Sequence, residues 1–328
     1  MAYDAGAVST AAFMHPALRA SSIGKESVLF FRRRALTAVL YVAIAHATAC
    51  DSGAKPSAVH AAVSVDDYGD TIAAAPPAQR IVSLNPVTTE LLFALGAGAR
   101  VVGRTHWDLY PDAARAVADL GNGMQPNVEA VLGVHPDLVV LYAGQSNRAA
   151  AAQLRHAGAR TLAIRDDHIS DFRRTVMLLA RATGDTTAGN MIADSVERSL
   201  AAVAARPRPE KPVTVFWHVW DSPILTIGRG SYLDELVTIA GAKNVFGDLT
   251  DPSPQVTLEE IVRRNPDFIL VGPASAKALR ASPLWRSVPA VRDGHLLIVD
   301  TLLVGRPGIR LGEAARSLRA LILKDTVR

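Results

Sequence analysis

Two stretches 130 positions apart, NVEAVLGVHPDLVVLY (residues 127–142) and TLEEIVRRNPDFILVG (257–272), share one layout: polar cap, glutamate in the first turn of a short helix, Pro-Asp, apolar run. An apolar run of four or five residues after a helix predicts a strand covered on both faces, as in a parallel sheet. A second echo lies 145 positions apart. VTTELLFALGAGARVVG (87–103) matches SYLDELVTIAGAKNVFG (231–247), aligning Glu90-Leu91 with Glu235-Leu236 and Gly96-Ala97 with Gly241-Ala242. A chain that builds the same βαβ series twice folds as two α/β lobes of common topology, the first about fifteen residues longer between the matched units. At 328 residues and 49% hydrophobic, it has enough apolar material for two cores.

Strand and helix signals alternate through both halves. RIVSL stops at Asn85-Pro86, a natural N-cap and first helical residue, before leucines at helical spacing. Between the halves, Ile169–Ala205 carries no strand signal. It breaks near TGDTT and then places Ile192, Val196, Leu200 and Val203 on one helical stripe, ending at RPRPEKP. The expected fold is therefore α/β: two Rossmann-like lobes with parallel sheets, residues 80–167 and 212–328, joined through 168–211 by a single long rigid helix.

The N-terminal part reads as targeting sequence. FFRRRALTAVLYVAIAHATAC has a basic cluster at Arg32–Arg34, an apolar stretch shorter than the ~20 residues of a spanning helix, and small residues before Cys50, the single cysteine. One cysteine excludes a disulfide framework and CxxC metal sites. Residues 1–49 form the leader, with translation expected to start near Val28, and the Ala-, Ser- and Pro-rich 50–79 form a tether. The pI of about 9.4 is no nucleic-acid footprint: the first 49 residues hold five of the 35 basic and two of the 31 acidic side chains, leaving 30 against 29.

These segments, together with RTHWDLYP, PQVTLEEIVRRNPDFILVG and RPGIRLGEA, resemble the substrate-binding proteins of ABC importers for cobalamin, haem and ferric siderophores, nearest the vitamin B12-binding type. The Ala-Thr-Ala-Cys ending resembles a lipoprotein cleavage site, which implies lipidation of Cys50 and a tethered, periplasmic or extracytoplasmic monomer. The resemblance also implies a ligand cleft between the lobes, no chemistry on the ligand, no nucleic-acid partner, and an ABC permease with its ATPase as partners. One exposed glutamate per lobe, Glu129 and Glu259, would dock on permease arginines.

Strand-end loops should line the cleft. His106 and Trp107 in the first lobe, and His218 and Trp220 in the second, are the candidates, with core packing the alternative for either tryptophan. Arg306 matches a ligand-contacting position, where a guanidinium suits propionates, catecholates or phosphate. Arg310 either caps the last helix or supports its loop. Thr257 and Glu260 form a capping box of their own, which frees Glu259. Two aromatics expected of a corrin binder are missing, replaced at Gly121 or Asn122 and at Ser253-Pro254. Two rival readings stay open: a zinc or manganese receptor using His106, Asp108 and His218, and a chelatase-like enzyme. The second finds no P-loop or GxSxG in the chain.

Overall fold

A computed structural model describes residues 65–326, with side chains to 323. The leader, Cys50 and the proposed start near Val28 lie outside the described residues.

In the first lobe, β1 (Ile81–Ser83) leads into α1 (Pro86–Ala94), β2 (Val101–Gly103), α2 (Val128–Gly133), β3 (Leu138–Tyr142), α3 (Arg148–His156), β4 (Arg160–Ile164) and α4 (Asp171–Thr183). Then α5 (Thr186–Ala204) crosses to β5 (Val213–Trp217), a hairpin of β6 (Trp220–Asp221) and β7 (Ile224–Leu225), α6 (Tyr232–Ala240), β8 (Ala242–Asn244), α7 (Leu258–Arg264) and β9 (Phe268–Val271). The chain closes with α8 (Pro273–Ala281), α9 (Pro289–Arg292), β10 (Leu296–Ile298), α10 (Thr301–Val304) and α11 (Leu311–Thr326).

Both sheets are four-stranded and parallel, ordered β2-β1-β3-β4 and β8-β5-β9-β10. Written by position within each lobe, the orders are identical, as the two offsets require. Each repeat helix also ends alike: Gly96 and Gly241 take φ of 72° and 95°, a left-handed turn that a Cβ disfavours.

The helical segment between the lobes breaks where TGDTT predicts. Gly184, at φ 90°, ends α4, and the Asp185 carboxylate accepts the Ala188 N–H at 2.8 Å to start α5. Helix α4 packs on α1 and stays with the first lobe, so α5 is the single long connector. Gly189 lets it lie close on α4, since a Cβ there would sit 2.5 Å from that of Ala180. Val196, Leu200 and Val203 are buried in a core that runs from Ile81, Val140 and Leu162 of the first sheet to Val215 and Leu270 of the second. That continuous apolar contact makes the connector a stiff strut.

The expected tether needs correction. Residues 65–79 are not all tether: Asp66 turns the chain by accepting the Tyr68 and Asp70 N–H groups, and its other oxygen accepts the Ala163 N–H at 3.1 Å from β4. The apolar run TVFWHVW (214–220) does not form one strand, because β5 ends at Trp217 and the chain folds back around Ser222-Pro223 as an antiparallel hairpin. After β9, PASAKALRA forms α8, with Pro273 at its first turn.

Candidate functional site

In each sheet the first strand lies between neighbours whose connections leave in opposite directions, and ligands of open α/β sheets bind outside such switch points. A cavity of about 620 Å³ lies there, lined by both lobes. Its walls follow the sequence repeats. Asn85, Pro86 and Val87 at the start of α1 face Gly230, Ser231 and Tyr232 at the start of α6, the same positions at the offset of 145. Asn122 and Gly123 face Pro252 and Ser253, the same positions at the offset of 130.

The first-lobe floor is rich in hydrogen-bond acceptors. The Asn85 Oδ1 caps α1 by accepting the Val87 N–H at 2.9 Å, while its Nδ2 donates to both Asp166 oxygens at 3.3 and 3.4 Å. Asp166 is buried, and burial pushes its carboxyl up to about 6 against the opposing Asn85 hydrogen bond, with the Asp167 charge adding to the rise. The Tyr142 hydroxyl donates to Asp167 at 2.7 Å and is pushed well above its ordinary value, first by burial and then by that carboxylate. The sequence reading missed Asp166 and Asp167; the acidic pair one residue beyond the strand RTLAI was the available signal.

Of the predicted residues, Trp107 is 59% exposed and lines the cavity. His106 tilts against it, ring centroids 4.5 Å apart, without lining the cavity. Arg306 lines it too, but its guanidinium is engaged across the lobes: Nη1 lies 3.3 Å from Glu90 Oε1, and Nη2 donates to the Trp107 carbonyl. Arg310 supports the same loop, donating to Glu90 at 3.1 Å and to the Leu302 carbonyl, with its guanidinium 3.9 Å above the Tyr110 ring.

The second-lobe candidates differ. His218 does not reach the cavity; its side chain is 1% exposed and packs on Phe216 and Trp285. The pleat explains this, since residues two apart on a strand share a face and Phe216 points into the second-lobe core. Trp220 sits on β6, 62% exposed, with its indole N–H on the Ser222 carbonyl, and its neighbour Val219 lines the cavity instead. Asp108 is buried beneath Thr89 and Thr105, whose hydroxyls it accepts. His106, Asp108 and His218 are therefore not brought together, and among the described residues no group of three or more His, Cys, Asp or Glu is placed to hold a metal ion.

Neither His218 ring nitrogen makes a hydrogen bond, Asp221 lying 3.5 Å away, and burial pushes its pKa down while Asp221 opposes. The folded state thus binds fewer protons than the unfolded state below pH ~6.5, and stability falls as pH drops through that value. His218→Leu should raise stability by about 1–2 kcal/mol at pH 5 and by less at pH 8, with ligand affinity unchanged. Urea unfolding at both pH values checks this; a loss of ligand binding would return His218 to the site.

Glu129 and Glu259 occupy the second positions of α2 and α7, both exposed. The helices are capped by others, Asn127 accepting the Ala130 N–H at 3.0 Å and Thr257 the Glu260 N–H at 3.2 Å. The second cap is only half of the expected box, since the Glu260 carboxylate turns to Arg264 at 2.9 Å. Neither Glu129 nor Glu259 bonds its carboxylate to a described residue.

Residues 81–301 match the model of the periplasmic binding protein family. The uncharacterized ABC transporter substrate-binding lipoprotein YvrC of Bacillus subtilis is 32% identical, covering 84% of this chain and 90% of its own. A vitamin B12-binding protein of Vibrio parahaemolyticus is 24% identical over 75% of this chain and 88% of its own. The periplasmic heme-binding protein RhuT of Roseiflexus sp. RS-1 superposes with a TM-score of 0.69 at 26% identity, covering 75% and 98% of the two chains. With two lobes of one topology, a strut between them and a cleft built from matched segments, the chain belongs to the periplasmic binding protein family.

Proposed function

We propose that this protein is the substrate-binding component of an ABC importer and captures cobalamin, or a haem-like or siderophore iron chelate, in the cleft between its lobes. The observation that carries the reading is the cavity of about 620 Å³ whose walls include the same two segments of each lobe. A large flat ligand needs contacts from two sides, and the matched helix starts supply them. The Trp107 face suits a corrin or porphyrin ring. The relatives that bind vitamin B12 and haem support that substrate class. The protein works outside the cytoplasm as a monomer, lipidated at Cys50, and hands its ligand unchanged to the permease and ATPase, docking through Glu129 and Glu259.

Titration of the purified protein with cyanocobalamin, hemin and a ferric siderophore, followed by absorbance and tryptophan fluorescence, tests the ligand class. One of them should bind, and Trp107→Ala should weaken it about tenfold, the ~1–1.5 kcal/mol of a ring-stacking contact. Silence from all three, with tight zinc or manganese binding, would overturn the reading.

A further inference from the structure

The second sequence echo contains a glutamate pair that neither docking nor cleft lining uses. Glu90 and Glu235 stand at equivalent positions, 145 residues apart, one turn into the two helices whose first residues wall the cavity. Each reaches into the opposite lobe. The Glu90 side chain is 1% exposed and lies against the loop between α10 and α11: Arg306 at 3.3 Å, Arg310 at 3.1 Å, and Gly308, where a Cβ would stand 2.9 Å from Oε2. Glu235 holds the loop after β4, with Oε1 2.8 Å from His168 Nδ1 and Oε2 accepting the Ile169 N–H at 3.2 Å. Beside it the Tyr232 N–H donates to the Asp167 carbonyl at 3.0 Å.

The arrangement is reciprocal. In each lobe the helix that precedes the second strand of the sheet grips the connection that follows the fourth strand of the other lobe, directly after β4 in one case and beyond α10 in the other. Those two loops carry cavity residues, Asp166 and Asp167 in one, Gly305 to Pro307 in the other. Through Arg306 the Glu90 grip also reaches the Trp107 carbonyl. We propose that Glu90 and Glu235 are paired interlobe clasps, positioning residues that fix the strand-end loops of the cleft and so set how long a ligand stays bound. This rests on the cleft being the ligand site. The clasps are unequal in strength: Glu90 is buried between two guanidinium groups, whereas the Glu235 side chain is 33% exposed and its pairing is screened by solvent.

Hydrogen exchange on the ligand-free full chain, read by mass spectrometry, tests the clasps without reference to ligand identity. Glu235→Ala should speed exchange in 166–170 about two- to fivefold. Glu90→Ala and Arg306→Ala should speed it in 304–310 on the order of tenfold to a hundredfold, with Glu90→Gln between. Exchange in β3 and β9 should stay at the wild-type rate. Where Glu90→Ala fails to fold, Arg306→Ala and Glu235→Ala carry the comparison. Release of bound cyanocobalamin or hemin, measured by stopped flow, should quicken in the same variants by similar factors. Unchanged exchange in both loops, or faster exchange with unchanged release of a probe that does bind, overturns the proposal. Faster exchange in a protein that binds neither these probes nor a ferric siderophore supports the clasps and instead refutes the ligand class.

Discussion

Replacing Glu129 and Glu259 together by arginine should abolish ligand uptake in cells while the purified protein keeps its affinity within about twofold. The two carboxylates are exposed, hydrogen-bond to no described residue, and stand at the same position of equivalent helices α2 and α7. Asn127 and Thr257 do the capping. Reversal costs each helix the dipole interaction of a first-turn acid, roughly 0.3–1 kcal/mol, which a folded lobe tolerates. At a docking surface the consequence is larger. An exposed ion pair contributes ~0.2–1 kcal/mol, but reversal turns two attractions into two repulsions, and two linked anchors multiply their effects. Single reversals should therefore leave partial transport and the double reversal none. Normal transport by the double variant would remove these residues from the permease interface; lost ligand affinity would place them at the cleft.

That pair was legible because caps and first-turn positions are local and repeat with a fixed offset. The same offsets carried the common topology of the lobes and, unnoticed in the sequence, both walls of the cavity. Features made by distant parts of the chain were not legible. Glu90 and Glu235 looked like helix residues that merely aligned the lobes, because their partners come from the opposite lobe and sequence spacing says nothing of how lobes meet. Asp66 pairs with Ala163, so nothing in the Ala- and Pro-rich segment around it announced an ordered turn. His218 was different: counting the pleat from Phe216 puts it in the core, and its proximity to Trp220 in sequence misdirected the assignment. Asp166 shows the opposite error, a charged residue passed over although it stands two residues beyond β4, in the loop that lines the cavity.

Asp166→Asn should stabilise the protein near neutral pH and lose that advantage in acid. The native carboxyl is pushed up to about 6 from an ordinary value of 3.8. Between those values the folded state takes up a proton that the unfolded state does not, so the group's contribution to stability is best in acid and declines as pH rises through the window. Asparagine imitates the protonated side chain and can still accept from Asn85, so the gain should be on the order of 2–3 kcal/mol at pH 8 and near zero at pH 3.5. Thermal unfolding at the two pH values measures it, and an equal gain at both would contradict the burial of a charged carboxylate. The same substitution separates the ligand classes. Above pH 6 the floor carries a negative charge that repels the propionates of hemin but not the neutral amides of cyanocobalamin. If a haem-like ligand is the cargo, Asp166→Asn should tighten hemin binding about tenfold at pH 8, since one unit charge in a poorly solvated cleft is worth on the order of 1–2 kcal/mol. If the cargo is a corrinoid, cyanocobalamin affinity should change little with either pH or the mutation, because its amides meet an acceptor-rich floor in both states.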